Sequence, residues 1–167
     1  MGTFTGTFSA GLVGSYAKTS DLTTLLEAIN ISFSSAYTNG SGSNQANAFF
    51  SDTRTLAATN ESFDLNAGTM TDGYGAALVF TAIKFLYVKN KSTTAGQALT
   101  LTGDFLSGVA TSPLFGSTAP TINIGPSGFV VLESPIDGFL VTSTTSDGLT
   151  VTNTASFDYD IVLLGIV

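Results

Sequence analysis

The sequence predicts an all-β fold, a jelly-roll-like antiparallel β-sandwich, and three observations support this. Apolar and polar residues alternate with a period of two over residues 121–167, as in Phe157, Tyr159 and Ile161, which places one set on a buried sheet face. Asp-Gly and Gly-Pro pairs interrupt the alternation where tight turns are needed. The chain of 167 residues is long enough for one domain with eight or more short strands.

The first 18 residues are predicted to form an N-terminal arm, followed by a single β-sandwich domain over residues 19–167. Small and polar residues dominate the arm, with apolar side chains at every fourth position, namely Phe4, Phe8, Leu12 and Tyr16. This four-residue spacing indicates neither a continuous strand nor a glycine-rich helix. These four are therefore candidate interface residues, separate anchors joined by flexible glycines. The alternative is a first strand packed on its own domain.

One short N-terminal helix is predicted over residues 20–29. Ser20 can cap it, and leucines recur at helical spacing up to Ile29. At under three turns, such a helix must dock its leucine face to be stable. Strand-like alternation takes over at Ile29, Ile31 and Phe33, so the helix can be shorter than this range.

The remaining chain is predicted to form strands joined by polar turns. After a polar loop at 39–47, strands are expected over 48–57, 62–65 and 77–88, and around Leu99, Leu101 and Phe105, with a looser connection over 109–119. Lys84 interrupts the most apolar of these strands. Because burying an unpaired charge is costly, we expect Lys84 either to face solvent or to reach a carboxylate.

Composition narrows the function classes. Only 10% of residues are charged, against about 25% in typical soluble domains, while the chain has 26 Thr and 19 Ser. A surface of hydroxyl groups costs little to desolvate, so it suits an interface. The net charge of −7, with five basic residues, argues against a nucleic-acid partner. The longest apolar run, Ile161–Val167, is too short to cross a membrane, and Met1 to Ala17 lack the basic residues of a signal peptide.

The sequence predicts no catalytic residue, no metal site and no cofactor, and hence no enzyme. The absence of Cys and His removes thiolate sites, His-based triads and the commonest general base. Carboxylates remain, of which Glu133, after an apolar run, is the strongest catalytic candidate. Asp158 and Asp160 share a strand face and could begin a calcium site, but no third ligand is identifiable. A solvated acidic face is the favoured interpretation.

Several segments together resemble small structural proteins of tailed bacteriophages. The resemblance covers about residues 39–165, and the matching segments are 44–47, 50–58, 63–65, 71–75, 83–90, 122–128, 132–135 and 159–165. It implies a compact β-sandwich on the virion, as a head decoration (cement), fibre-base or tail component. The resemblance supplies no catalytic residues, and it does not cover residues 1–38.

The resulting expectation is a non-enzymatic phage virion structural protein that staples neighbouring capsid subunits as a decoration protein. The expected partners are further copies of itself, as a dimer or trimer, and the major capsid protein or another virion protein. The alternatives are a tail, baseplate or fibre component, and a receptor- or glycan-binding β-module. Phe outnumbers Tyr by 13 to 5 and Trp is absent, which favours burial over sugar stacking.

Overall fold

The computed structural model describes residues 3–19, 23–57, 59–107, 115, 120–153 and 155–167. These residues form fourteen strands and one short helix, and the fold is all-β as predicted. The elements are β1 (Gly6–Thr19), β2 (Thr24–Asn39), β3 (Gln45–Ala46), β4 (Ala48–Ala57), β5 (Asn60–Asp64), β6 (Met70–Thr71), β7 (Ala77–Leu78), β8 (Ala82–Asn90), β9 (Leu99–Thr102), α1 (Asp104–Ser107), β10 (Ile122–Ile124), β11 (Phe129–Glu133), β12 (Phe139–Leu140), β13 (Gly148–Asn153) and β14 (Ser156–Ile166).

Two antiparallel sheets make up the body of the molecule. One has the strand order β11-β8-β14-β4, and its short fifth strand, β12, also pairs with β8. The other has the order β10-β9-β13-β5. Taken in chain order, these eight principal strands pass from one sheet to the other at every connection except β9 to β10. This is the topology of a jelly roll, so the predicted architecture is confirmed.

The core lies between the inner faces of the two sheets. Strand β14 shows how the alternation builds it, because Tyr159, Ile161 and Leu163 are buried while Asp158 faces solvent. Leu149 and Val151 of β13 meet them from the other sheet and are fully buried. The alternation in the sequence was therefore a reliable guide to the buried face.

The predicted N-terminal helix over 20–29 is wrong for the part that the structure describes. Residues 20–22 lie outside the described ranges, and Thr24 onwards belongs to β2, which pairs with β1 along its whole length. Leucine spacing alone fits a helix, but a partner strand satisfies the backbone better than an isolated helix of under three turns. The one helix in the described chain is α1, which buries Phe105 and Leu106.

Two other predicted boundaries change. The strand expected over 77–88 is divided into β7 and β8, because the amide of Phe80 turns to donate to the carbonyl of Leu65. Phe105 lies in α1 and not in a strand. The connection expected over 109–119 falls outside the described residues except for Phe115.

Strands β1 and β2 form a long hairpin, which we call the arm (Gly6–Asn39). Its register runs from Gly6 opposite Tyr37 to Thr19 opposite Thr24. The arm as observed therefore includes both strands and ends at Asn39, whereas the N-terminal arm predicted from the sequence covered residues 1–18. Apart from Ile29, every side chain described between Gly11 and Ser34 is exposed, so the distal arm stands away from the body.

Candidate functional site: the hairpin arm

The base of the arm is seated on the outer face of the larger sheet. One row across that face holds Glu133, Phe85, Leu164 and Phe49, each opposite the next on neighbouring strands. Phe4, just before the arm, stacks on Phe49 with 5.6 Å between ring centroids, and Phe8 packs on Phe85 at 4.9 Å. The arm is thus anchored through aromatic contacts at its root.

A hydrogen bond fixes the second strand of the arm at the same row. The hydroxyl of Tyr37 donates to Oε1 of Glu133 at 2.7 Å, and the Tyr37 side chain is buried beside Leu164. Burial, and then the hydrogen bond and negative charge of Glu133, raise the pKa of Tyr37 above its ordinary value. Glu133, the strongest catalytic candidate in the sequence, therefore has a structural role at the root of the arm.

The arm has two chemically different faces. Directly opposed residues of an antiparallel pair project to the same side. The pairs Leu12–Ile31, Ala10–Phe33, Gly14–Ile29 and Tyr16–Glu27 thus define an apolar face, continuous with Phe8 at the base. The intervening positions form a second face, which we call the hydroxyl face. It includes Thr7, Ser9, Ser15, Ser32 and Ser34, and near the tip also Val13, Ala17, Leu26 and Ala28.

The distal half of the apolar face has no cover within the described chain. Leu12 is 59% exposed, Tyr16 63%, Ile31 61% and Phe33 53%. With about 150–200 Å² for each large side chain, these four leave roughly 450 Å² of mainly apolar surface uncovered. A contiguous patch of that size is comparable to the largest apolar patch on a typical monomer, which is often functional. A free two-stranded hairpin is also only marginally stable in water, which favours an additional packing partner.

The four predicted interface residues divide into two pairs. Phe4 and Phe8 pack on the larger body sheet of the same chain, whereas Leu12 and Tyr16 lie exposed on the distal apolar face. The interpretation of their spacing was wrong, because positions four apart share one face of a strand and β1 is continuous. Sequence reasoning missed Ile31 and Phe33 as interface candidates, although their alternation with Ser32 was the available signal.

A polar cluster away from the arm lies at the open side of the sandwich, between the edge strands β4 and β5. The Arg54 guanidinium pairs with Asp52 at 2.9 Å and with Glu61 at 2.6 Å, and the hydroxyl of buried Tyr159 donates to Glu61 at 2.6 Å. Burial and the bond to Glu61 raise the pKa of Tyr159. Inward-facing charges on an edge strand protect it from pairing with another chain. The adjoining cavity of about 490 Å³ is lined partly by Phe63, Thr69 and Met70.

The two aspartates of β14 that could begin a calcium site have structural partners. Asp158 and Asp160 accept hydrogen bonds from Thr55 and Thr53, and Asp160 also pairs with Lys91 at 3.3 Å. No group of three or more acidic side chains suited to a metal ion occurs in the described ranges.

Lys84 lies in neither of the two environments predicted for it, since it neither faces solvent nor reaches a carboxylate. It is buried, and its ammonium donates to the backbone carbonyl of Ile136, while no ion pair involves it among the described side chains. Burial lowers the pKa of Lys84, and the nearby charge of Asp137 opposes that shift. The expectation of a solvent-facing or carboxylate-paired lysine was therefore wrong, because a loop carbonyl supplies the acceptor.

No family model, curated protein or solved structure matches this chain. Within the described part of the chain, no helix has the length and apolar character needed to span a membrane. A function must therefore be argued from the arm and the jelly roll themselves.

Proposed function

We propose that this protein is a non-enzymatic structural component of a tailed-phage virion, and specifically a capsid decoration (cement) protein. The observation that carries this proposal is the arm, a projecting hairpin with an apolar face that the described residues of the chain leave largely exposed. Leu12, Tyr16, Ile31 and Phe33 are the exposed residues of that face. An arm of this kind can supply contact area to a neighbouring subunit.

The body of the molecule supports the same proposal. Jelly rolls occur in viral capsid domains as well as in lectins and cupins, so the support from the fold is an analogy. The low charge and hydroxyl-rich surface suit lateral packing. Glu133 and Glu61, the best-placed carboxylates, are committed to hydrogen bonds with buried tyrosines, which favours a structural role over catalysis.

The mechanism would be mechanical stapling. Covering roughly 450 Å² of apolar surface contributes about 10 kcal/mol at 25 cal/mol per Å², before the costs of association are subtracted. Each arm would thus contribute a modest net affinity. Many copies bound across one shell would add these contributions through multivalency and resist separation of the capsid subunits.

Copy number on the particle tests the assignment. Quantitative mass spectrometry of purified virions should find hundreds of copies, in proportion to the major capsid protein. A few dozen copies or fewer, located by cryo-electron microscopy at the tail or a fibre base, would replace decoration with the tail alternative. Absence from the virion would overturn the proposal.

A shortened arm tests the mechanism. Ala10 and Phe33 are directly opposed, so replacing residues 11–32 with Asn-Gly should close a shorter hairpin with a suitable two-residue turn. This variant keeps the aromatic anchors at the base. It should fold with an almost unchanged melting temperature and lose binding to particles stripped of the protein. Binding equal to that of the full-length chain would show that the arm is not the attachment element.

A further inference from the structure

We infer that the distal apolar face of the arm packs against the same face of a second copy of this chain, so that two arms form a small two-layer sandwich across a two-fold axis. This inference rests on the proposed role of the arm as an assembly element, and it names the partner. The strands that meet would be β1 and β2 of each copy. A symmetric contact of this kind requires a self-complementary surface.

Continuity with an existing contact supports the inference. The apolar face begins at Phe8, which already packs on Phe85 of the larger body sheet, and it continues without a change of side through Ala10, Leu12 and Tyr16. The distal half of the face is apolar like the packed half, but no described residue of the body covers it. Two sheets packed through apolar faces lie about 10 Å apart, which large side chains such as Leu12 and Ile31 can fill.

Charge also favours a second copy. The described residues of β1 and β2 carry one cation, Lys18, and one anion, Glu27, whereas the whole chain has a net charge of −7. Two copies repel each other over most of their surfaces and least along these strands. Lys18 and Glu27 both lie on the apolar face, since Glu27 is opposite Tyr16 and Lys18 follows two residues later. These two opposite charges lie near the tip of the arm, so the apolar face has no net charge among its described residues.

The available area suits a reversible dimer. Two facing patches of roughly 450 Å² bury about 900 Å² in total, close to the lower limit of about 1,000 Å² for a specific interface. Ala10 and half-buried Ile29 extend the contact along the same face. We therefore expect a weak dimer in solution that becomes fully populated where copies are concentrated on a surface.

Sedimentation velocity over a range of concentrations tests the inference with matched variants. The double substitution Leu12→Ser and Ile31→Ser removes a directly opposed pair from the apolar face. It should weaken dimerisation more than about a hundredfold, the equivalent of about 2.7 kcal/mol. The control substitutes Val13→Ser and Leu26→Ser, which are at least as exposed but lie on the hydroxyl face. It should change the dissociation constant less than about threefold. Circular dichroism and melting curves establish that both variants fold.

Cross-linking provides a second, geometric measurement, because the chain has no cysteine. Gly14→Cys places a thiol at an open position on the apolar face, and Ser15→Cys places one beside it on the hydroxyl face. A short bis-maleimide should yield dimers with Gly14→Cys and mainly monomers with Ser15→Cys. The reverse pattern, or equal yields, would overturn the inference.

The outcomes separate this inference from the proposed function. A monomeric chain whose apolar-face variant loses particle binding would mean that another virion protein covers the arm; the self-contact would fail and the function would stand. A dimer unaffected by Leu12→Ser and Ile31→Ser would place the contact elsewhere and overturn the inference. A dimer with the expected variant pattern but no presence on virions would keep the self-contact and overturn the virion assignment.

Discussion

The hydrogen bond between Tyr37 and Glu133 should make a measurable contribution to stability. Removing the hydroxyl with Tyr37→Phe deletes a 2.7 Å bond to a carboxylate from a buried side chain. Hydrogen bonds to charged groups contribute about 1.5–3 kcal/mol. Because Glu133 is half-buried, water can partly replace the lost donor, so we expect a loss near the lower limit, about 1.5 kcal/mol.

Urea denaturation followed by far-UV circular dichroism measures this loss, and a double-mutant cycle assigns it. Glu133→Gln keeps an acceptor but removes the charge, so it should cost less than Tyr37→Phe, and the double variant should show coupling between the two sites. Tyr74→Phe, at a highly exposed tyrosine, is the control and should stay within about 0.5 kcal/mol of the original chain. A Tyr37→Phe variant equally close to the original chain would refute a stabilising role for this bond.

Three further outcomes are expected. Burial and neighbouring glutamates raise the pKa values of Tyr37 and Tyr159. The contribution of these two tyrosines to the stability of the fold is therefore complete below about pH 10 and is lost above it as the unfolded chain ionises, by about 1.4 kcal/mol per pH unit for each tyrosine. Urea titrations at rising pH should show this slope, and Tyr159→Phe should reduce it. Lys84→Met should stabilise the fold by about 1 kcal/mol in the same assay, because burial disfavours the lysine charge; a loss of stability would show that the bond to the loop carbonyl is the larger effect. Gly165→Ala should lower stability by about 2–3 kcal/mol, since a Cβ there would collide with the carbonyl oxygen of Ala82; an unchanged melting temperature would contradict this packing.

The jelly roll was predictable because its information is local. Alternation in β13 and β14 and the Asp-Gly turns identify strands without knowledge of their partners. The arm was not predictable in the same way, because the residues from Thr24 to Ile29 carry a leucine spacing that suits a helix until β1 is placed beside them. Pairing across a hairpin of this length depends on the register of two strands, and no single segment records it.

The candidate site could also be predicted only in part from the sequence. Leu12 and Tyr16 could be identified as unusual apolar residues in a polar arm, but their shared face with Ile31 required the observed register. The cluster of Arg54, Glu61 and Tyr159 was inaccessible to sequence reasoning, because Tyr159 and Glu61 are separated by 98 residues. Contacts over such distances are set by tertiary packing and not by local pattern.

The positions of β13 and β14 determine when the seat of the arm can be completed during synthesis. Strand β13 lies between β9 and β5, and β14 lies between β8 and β4, so each sheet is completed by a strand from the carboxyl end. The arm precedes both sheets in the sequence, yet its seat includes Leu164 from β14. Domains complete their folding as units during synthesis. The arm can therefore be held in its final direction only after β14 has been synthesised and has paired within its sheet.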